Sequence, residues 1–209
     1  SVASIGQGGL DFNSNHVYNN TLKGGIEASY GGTYSNNTIK NNIYSDDHGY
    51  DAAGGLYGRP YEVINNIIIG NSYLGSYGDK VDGVAIESLN DFKQNFLHNH
   101  SGNIDLYVHN DWGGGGLMNN IIGGLTELDV ELKAPISNNI FAGGLKGSLV
   151  FEVNSGNDPE FKYNQILNSS GGQLSISSDD DYSSGFSPIE FSYNIFYGNQ
   201  SGYFLYHSN

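Results

Sequence analysis

The stretch Asn65-Asn66-Ile67-Ile68-Ile69-Gly70-Asn71 places three isoleucines between two pairs of turn-forming residues. Asparagine and glycine are depleted in strands, whereas isoleucine is enriched in them. Such a change of residue type within seven positions predicts a corner, a very short buried strand and a second corner. The same order of residue types recurs along the chain, so the stretch belongs to a repeat.

The repeat has the form Asn, any residue, Leu/Ile/Phe, any residue, Gly/Asn, and it occurs eight times. Its first residues are Asn20, Asn37, Asn66, Asn95, Asn120, Asn139, Asn164 and Asn194. Successive copies begin 17 to 30 residues apart, a range of periods that indicates solenoids, propellers or arrays. The uneven spacing predicts one constant short strand per unit, joined to the next by loops of variable length.

A second set of segments alternates apolar and polar residues, which is the period of a half-buried strand. These segments lie at residues 8–12, 24–30, 83–88, 104–110, 128–133, 148–153 and 173–178. No window of eleven or more residues has a helical period, and glycine is too frequent for long helices. Two or three short strands per unit without helices predict an all-β parallel β-helix, in which each unit is one coil stacked on the last.

Stacking places the same motif position of every coil in register. The repeated asparagines can then form a ladder, because each amide both donates and accepts along the column. The Leu, Ile or Phe two residues later faces the core. In the alternating segments we expect the inward residues to be Leu10, Ile26, Ile86, Leu106, Val130, Phe151 and Ile176.

The eight motifs and the glycine-led strands span nearly the whole chain, and they resemble right-handed parallel β-helix repeat proteins. That superfamily contains the pectate-lyase-like enzymes and many surface adhesins. The resemblance implies a right-handed solenoid of about eight coils with an Asn ladder, forming a single domain over residues 1–209. Neither end shows a capping helix, so we expect this domain to be a segment of a longer solenoid.

Eight basic and 22 acidic residues give a formal charge of −14. Nucleic acid is therefore disfavoured as a partner, because phosphate contacts need clustered Lys and Arg. The sequence also lacks an apolar segment long enough for membrane insertion. Together with the resemblance, the acidity and the scarcity of lysine predict an extracellular or cell-surface location.

Alternation in the second set of strands predicts an outward column of carboxylates. Its members are Asp11, Glu27, Glu87, Asp105, Asp129, Glu131 and Glu152. Closely spaced carboxylates raise one another's pKa and can serve acid–base chemistry such as glycoside hydrolysis. The competing interpretation is a solvated face that keeps the strands from aggregating. For an enzyme, the candidate catalytic residues are Glu27, Glu87, Asp105, Asp129 and Arg59.

The related enzyme families differ from this chain at their catalytic motifs. The resemblance implies that a pectate-lyase-like enzyme would need an Arg or Lys base near Ca²⁺, and Arg59 is the only arginine. Of the four polygalacturonase-like motifs, only an Asp-Asp pair has a counterpart, Asp46-Asp47. A polysaccharide lyase or glycoside hydrolase therefore remains the alternative to a non-catalytic protein.

Loop carboxylates form a candidate Ca²⁺ site, because this ion takes several oxygen ligands. The candidate ligands are Asp46, Asp47, Asp51, Asp79 and Asp82. Their spacing does not match an EF-hand, and turn formation explains the same residues equally well. Ca²⁺ is the one cofactor that the sequence suggests.

Flat side chains on outward or loop positions form a candidate surface for stacking on sugar rings. These side chains are Tyr57, Tyr61, Tyr77, Tyr107, His109 and Trp112. The competing interpretation is that the rings pack over coil corners. We expect an adhesin or fibre module that binds a polysaccharide, a cell-surface glycan or a protein. A subunit that stacks with neighbouring coils into a filament is a further alternative.

Overall fold

The computed structural model describes residues 3–5, 9, 11–28, 31–45, 52–76, 80–87, 90–99, 103–112, 116–132, 134–153, 160–168, 174–180 and 189–198. All regular structure within these ranges is β-strand, and all strand pairs within the sheets are parallel. Three sheets of eight strands run along the molecule, an arrangement consistent with the predicted parallel β-helix. Across these same ranges, no helix has the length and hydropathy needed to cross a membrane.

Strands are numbered in chain order, and each sheet collects every third or fourth strand. The first sheet contains β1 (Ala3–Ile5), β4 (Ile26–Ala28), β8 (Leu56–Gly58), β12 (Val81–Ile86), β15 (Ile104–Trp112), β18 (Leu125–Leu132), β21 (Leu145–Val153) and β24 (Leu174–Asp180). The second contains β3 (His16–Tyr18), β6 (Thr38–Lys40), β10 (Ile67–Ile69), β14 (Phe96–His98), β17 (Ile121–Ile122), β20 (Ile140–Phe141), β23 (Gln165–Leu167) and β26 (Ile195–Tyr197).

The third sheet and one short pair complete the described strands. The third sheet contains β2 (Phe12–Asn13), β5 (Thr33–Ser35), β9 (Glu62–Ile64), β13 (Asp91–Lys93), β16 (Leu117–Met118), β19 (Ile136–Ser137), β22 (Glu160–Lys162) and β25 (Glu190–Ser192). A two-stranded sheet pairs β7 (Ile43–Tyr44) with β11 (Ser72–Tyr73). The predicted strand at 8–12 is wrong, because Phe12 belongs to the third sheet and Ala3–Ile5 occupies the first.

Each sheet contributes inward residues to one continuous core. Six of the predicted inward residues are buried, namely Ile26, Ile86, Leu106, Val130, Phe151 and Ile176; Leu10 lies outside the described residues. The second sheet supplies the apolar residue of the repeat, for example Ile68 and Leu97. The third sheet supplies a residue three positions before the repeated Asn, for example Val63 and Phe92.

Two adjacent asparagines occupy two different positions of the corner. Asn65 has a left-handed backbone with φ 54°, a conformation that Asn tolerates better than most residues. The next residue, Asn66, is buried and turns its amide into the structure. The same pair of roles recurs at Asn138 and Asn139, where Asn138 has φ 56°. One Asn therefore forms the corner and the other forms hydrogen bonds between coils.

Buried asparagines stack from coil to coil between the third and second sheets. Nδ2 of Asn37 donates to Oδ1 of Asn66 at 3.0 Å, and Nδ2 of Asn66 donates in turn to Oδ1 of Asn95 at 3.0 Å. The remaining members that follow along this main stack are Asn120, Asn139, Asn164 and Asn194. The second amide hydrogen of each donates to a backbone carbonyl, such as Tyr34 O for Asn66. Burial of these amides is thereby offset by hydrogen bonds.

Asn20 does not belong to this main stack, so its predicted place is wrong. The first member is Asn15, whose Nδ2 donates to Oδ1 of Asn37 at 3.3 Å. The pattern missed it because Val17, rather than Leu, Ile or Phe, follows two residues later. Asn20 instead begins a second stack at the next corner, donating to Asn42, which is followed by Asn71 and Asn99.

Tyr34 lies in the core column of the third sheet, and its hydroxyl is buried without a hydrogen-bond partner. Burial also raises the pKa of this phenol to about 12. We expect Tyr34→Phe to raise the free energy of unfolding by about 1 kcal/mol, because it removes an unsatisfied hydroxyl and keeps the ring. Urea unfolding of the two proteins measures the change, and a loss of stability in Tyr34→Phe would contradict it.

Candidate functional site

The outward surface of the first sheet carries both aromatic and charged side chains. Strand register places Glu27, Tyr57, Ala85, Tyr107 and Glu127 in one column, with Lys146 next. A second column contains His109, Asp129 and Ser148. We call these nine residues, with Arg59 and Glu87 beside them, the acidic–aromatic face.

Tyr57 and Tyr107 lie on either side of Ala85 in this column. Ala85 faces outward but is fully buried. It belongs to a small apolar cluster with Ala53, Val81 and Ile104, and both tyrosines pack against this cluster. The rings are two strands apart, a separation of about 10 Å along the sheet. Tyr57 is held edge-on to Tyr44 at 5.5 Å between centroids, and Tyr107 stacks on His109 at 5.9 Å. These contacts limit the rotamers of both tyrosines while leaving each partly exposed.

Two pairs of oppositely charged side chains lie on the face. Arg59 donates from Nε and Nη2 to the carboxylate of Glu87, a two-pronged ion pair. Lys146 Nζ lies 2.6 Å from Oε2 of Glu127. Both pairs are partly exposed, so each contributes little to stability. They fix the positions of charges that a ligand would meet.

The predicted single column of carboxylates is wrong. Glu27 and Asp129 lie in different columns, and Glu87 follows β12 beside Arg59. Asp105 faces inward with 0 % exposure. It lies at an irregularity in β15: Ile104 pairs with Leu125 of β18 and Leu106 pairs with the next residue, Thr126, so Asp105 has no partner in β18. The alternation of inward and outward side chains along β15 is therefore inverted at this point. Asp105 is therefore removed from any outward catalytic set.

Asp105 lies instead beside the corner where the second asparagine stack ends. Its Oδ2 accepts hydrogen bonds from the backbone N–H groups of Asn99 at 3.1 Å and Gly124 at 2.8 Å. Its Oδ1 is buried without a hydrogen bond. Burial raises the pKa of this carboxyl, the N–H donors oppose the rise, and repulsion from Asp82 adds to it.

Asp82, a predicted Ca²⁺ ligand, is also fully buried. Its Oδ1 accepts from the backbone N–H of Tyr73 at 2.7 Å and from Nδ2 of Asn103 at 3.2 Å. Burial raises its pKa. These hydrogen bonds hold the carboxyl of Asp82 within the protein interior.

The other predicted Ca²⁺ ligands, Asp46, Asp47, Asp51 and Asp79, lie outside the described residues. Within the described ranges, no three His, Asp or Glu side chains come together as a metal site.

Of the remaining aromatic candidates, the described residue Tyr61 lies away from the acidic–aromatic face. Tyr61 directly precedes β9, and its carbonyl accepts from the backbone N–H of Asn90 on the third-sheet side. Trp112 is the last residue of β15, and its backbone pairs with Leu132. Its side chain is not among those that the structure describes. Tyr77 is likewise outside the described residues. The structure therefore groups Tyr57, Tyr107 and His109.

Sequence reasoning missed Ala85, Glu127 and Lys146 as members of the face. Glu127 and Lys146 precede the segments that were recognised as strands, because β18 and β21 begin three residues earlier than predicted. A stricter reading of the alternation Leu125-Thr-Glu-Leu-Asp-Val would have extended β18 to include Glu127.

No family model, curated protein or solved structure matches this chain.

Proposed function

We propose that the protein is a right-handed parallel β-helix module of about eight coils, held by an Asn ladder. It belongs to an extracellular or cell-surface adhesin or fibre. The acidic–aromatic face binds an extended, uncharged glycan chain. The observation that supports this most is the pair of partly exposed rings, Tyr57 and Tyr107, held rigidly on either side of Ala85.

Rigid aromatic side chains favour sugar binding, because their apolar faces cover the C–H surface of a sugar ring at little entropic cost. Strand spacing of about 4.8 Å is close to the length of one monosaccharide in an extended chain. A linear glycan lying across the strands could therefore present alternate units to Tyr57 and Tyr107. Carboxylates at Glu27 and Asp129 supply acceptors for sugar hydroxyls.

The same face favours binding over catalysis and neutral glycans over anionic ones. Asp105 is buried, and Arg59 is neutralised by Glu87, so the predicted catalytic set is dispersed. The carboxylates of the face outnumber its cations, and the chain has a formal charge of −14. Anionic polysaccharides would be repelled.

We expect Tyr107→Ala to weaken glycan binding about tenfold or more, because an anchoring ring is lost from the centre of the face. A panel of neutral and anionic oligosaccharides identifies the tightest ligand, and titration calorimetry then compares the variants. Tyr107→Phe keeps the ring and should retain most of the affinity. Far-UV circular dichroism checks that each variant is folded.

Tyr61→Ala is the matched control, because it removes an exposed tyrosine away from the face. It should bind as the unmodified protein does. Absence of binding to every neutral oligosaccharide, or equal affinity of the unmodified protein and Tyr107→Ala, would disprove the proposal.

A further inference from the structure

The central outward column of the acidic–aromatic face repeats with a period of two strands. In register order on β4, β8, β12, β15 and β18 it contains Glu27, Tyr57, Ala85, Tyr107 and Glu127. One alanine therefore separates the two rings, and each ring has a carboxylate on its other side. Adjacent strands lie about 4.8 Å apart, so the rings recur at about 10 Å along the axis of the solenoid.

Ala85 makes the middle of this column different from its two neighbours. Its side chain is fully buried, whereas Tyr57 and Tyr107 are partly exposed. A methyl group also extends less far from the sheet than a phenol ring does. A ligand that lies along the column therefore meets a ring, a gap and a second ring. It covers both rings only if its own apolar patches recur at the same interval.

A polar column runs beside the rings, two residues further along each strand. It contains Glu87, His109, Asp129 and Ser148. Carboxylate, imidazole and hydroxyl groups can form hydrogen bonds with the hydroxyl groups of a ligand. The face thus offers apolar rings in one column and hydrogen-bonding groups in the next. Such a pair of columns suits a flat ribbon that has C–H groups on its faces and hydroxyl groups along its edges.

We propose that the ligand of this face is a β-1,4-linked glycan whose sugars carry only equatorial hydroxyl groups. This inference rests on the proposed glycan binding and names the class of chain. In such a ribbon each sugar is turned over relative to the next, so every second sugar presents the same face and the same edge. The advance per sugar is close to the strand spacing of about 4.8 Å. Equatorial hydroxyl groups leave C–H groups on the ring faces for the tyrosines to cover.

Glycans that coil do not match this column. Chains of α-1,4-linked or β-1,3-linked glucose curve into helices, so their sugars turn progressively instead of alternating between two orientations. Straightening such a chain over Tyr57 and Tyr107 costs conformational free energy, whereas the β-1,4-linked ribbon is already extended. The spacing of the two rings should therefore select the linkage of the glycan.

The column also sets the length of chain that binds best. About three sugars span from Tyr57 to Tyr107, because the rings are two strand spacings apart. A disaccharide contacts one ring at a time. In a longer chain the second ring meets a ligand that the first ring already holds, which raises the affinity through effective concentration. Affinity should therefore rise sharply from two sugars to three.

Titration calorimetry with cello-oligosaccharides of about two to six glucose units tests the inference, with malto- and laminari-oligosaccharides of equal length for comparison. Cellotriose should bind at least about tenfold more tightly than cellobiose. Maltotriose and laminaritriose should bind no more than about twofold more tightly than their disaccharides, because they cannot cover both rings in the extended form.

Tyr57→Ala and Tyr107→Ala separate the contributions of the two rings. Each variant should bind cellotriose about tenfold more weakly than the unmodified protein does, which is close to the affinity for cellobiose. Each should weaken cellobiose binding only about twofold, because the other ring remains. Tyr57→Phe and Tyr107→Phe keep the rings and should retain the step between two and three sugars.

Two kinds of failure can be told apart. Equal affinity for cellobiose and cellotriose, or binding of maltotriose or laminaritriose as tight as that of cellotriose, would overturn this inference and leave glycan binding by the face intact. Absence of binding to every neutral oligosaccharide would overturn this inference together with the proposed function.

Discussion

Asn139→Leu is expected to lower the free energy of unfolding by about 3 to 5 kcal/mol. Asn139 is fully buried at the middle of the main stack. Its Nδ2 donates to Leu117 O at 2.8 Å and to Oδ1 of Asn164 at 3.0 Å. Its Oδ1 accepts from the backbone N–H and Nδ2 of Asn120, both at 3.0 Å.

Leucine fills a similar volume but cannot replace any of these four bonds. The backbone N–H of Asn120 would lose its acceptor and Leu117 O would lose the amide donor, whereas Oδ1 of Asn164 would keep its hydrogen bond from the backbone N–H of residue 139. The desolvation cost of the freed buried groups remains. Urea unfolding followed by circular dichroism measures the loss. Because solenoids can unfold in parts, hydrogen exchange of the Asn120 amide should report the same change locally.

Asn15→Leu is the matched control at the first described position of the stack. Asn15 is half-exposed and donates to Asn13 O and to Oδ1 of Asn37. Water can reach the groups that its loss would free, so the expected cost is about 1 kcal/mol or less. Equal losses in the two variants would show that burial of the amide does not determine its contribution.

Local sequence was sufficient to predict the repeat, because the corner and the buried apolar residue lie within five positions of each other. Prediction was poorer where residues distant along the chain determine the register. The strand Leu56–Gly58 is too short for an alternation of apolar and polar residues to be visible in the sequence. Its last residue, Gly58, has φ 121°, and Ala28 O occupies the place that a Cβ would take, so this strand position requires glycine. Missing this strand left Tyr57 without its neighbours in the face.

The candidate site was predicted in part for the same reason. Tyr57, Tyr107 and His109 were recognised as candidates on outward or loop positions, because their residue types are visible in the local sequence. The irregularity at Asp105 depends on how β15 pairs with β12 and β18, which no local pattern records. Apolar residues on the outward side of the second sheet were also missed, since the repeat allows any residue at those positions.

Asp105→Asn is expected to stabilise the protein at neutral pH by about 1 to 3 kcal/mol, because it removes a buried charge. The amide Oδ1 can still accept from the backbone N–H groups of Asn99 and Gly124. The variant cannot ionise, and repulsion from the nearby carboxyl of Asp82 disappears.

The gain should depend on pH in a defined direction. Burial raises the pKa of Asp105 above the value of about 3.9 expected in the unfolded chain. At pH values between the pKa of Asp105 in the unfolded chain and its higher pKa in the folded protein, folding takes up a proton. The free energy of unfolding of the unmodified protein therefore falls as the pH rises from the first pKa to the second. The advantage of Asp105→Asn should be small near pH 3 and should grow toward pH 7.

General repulsion among 22 acidic residues also destabilises the protein as pH rises, so the unmodified protein alone cannot isolate this effect. Asp129→Asn removes one charge from an exposed carboxylate that accepts from the Ser148 N–H. Its effect should stay within about 0.5 kcal/mol at every pH. If the free energies of unfolding of Asp105→Asn and Asp129→Asn changed with pH in the same way, burial of the Asp105 carboxyl would have no role. A gap that widens above pH 4 assigns the pH dependence to the corner where the second asparagine stack meets a buried carboxyl.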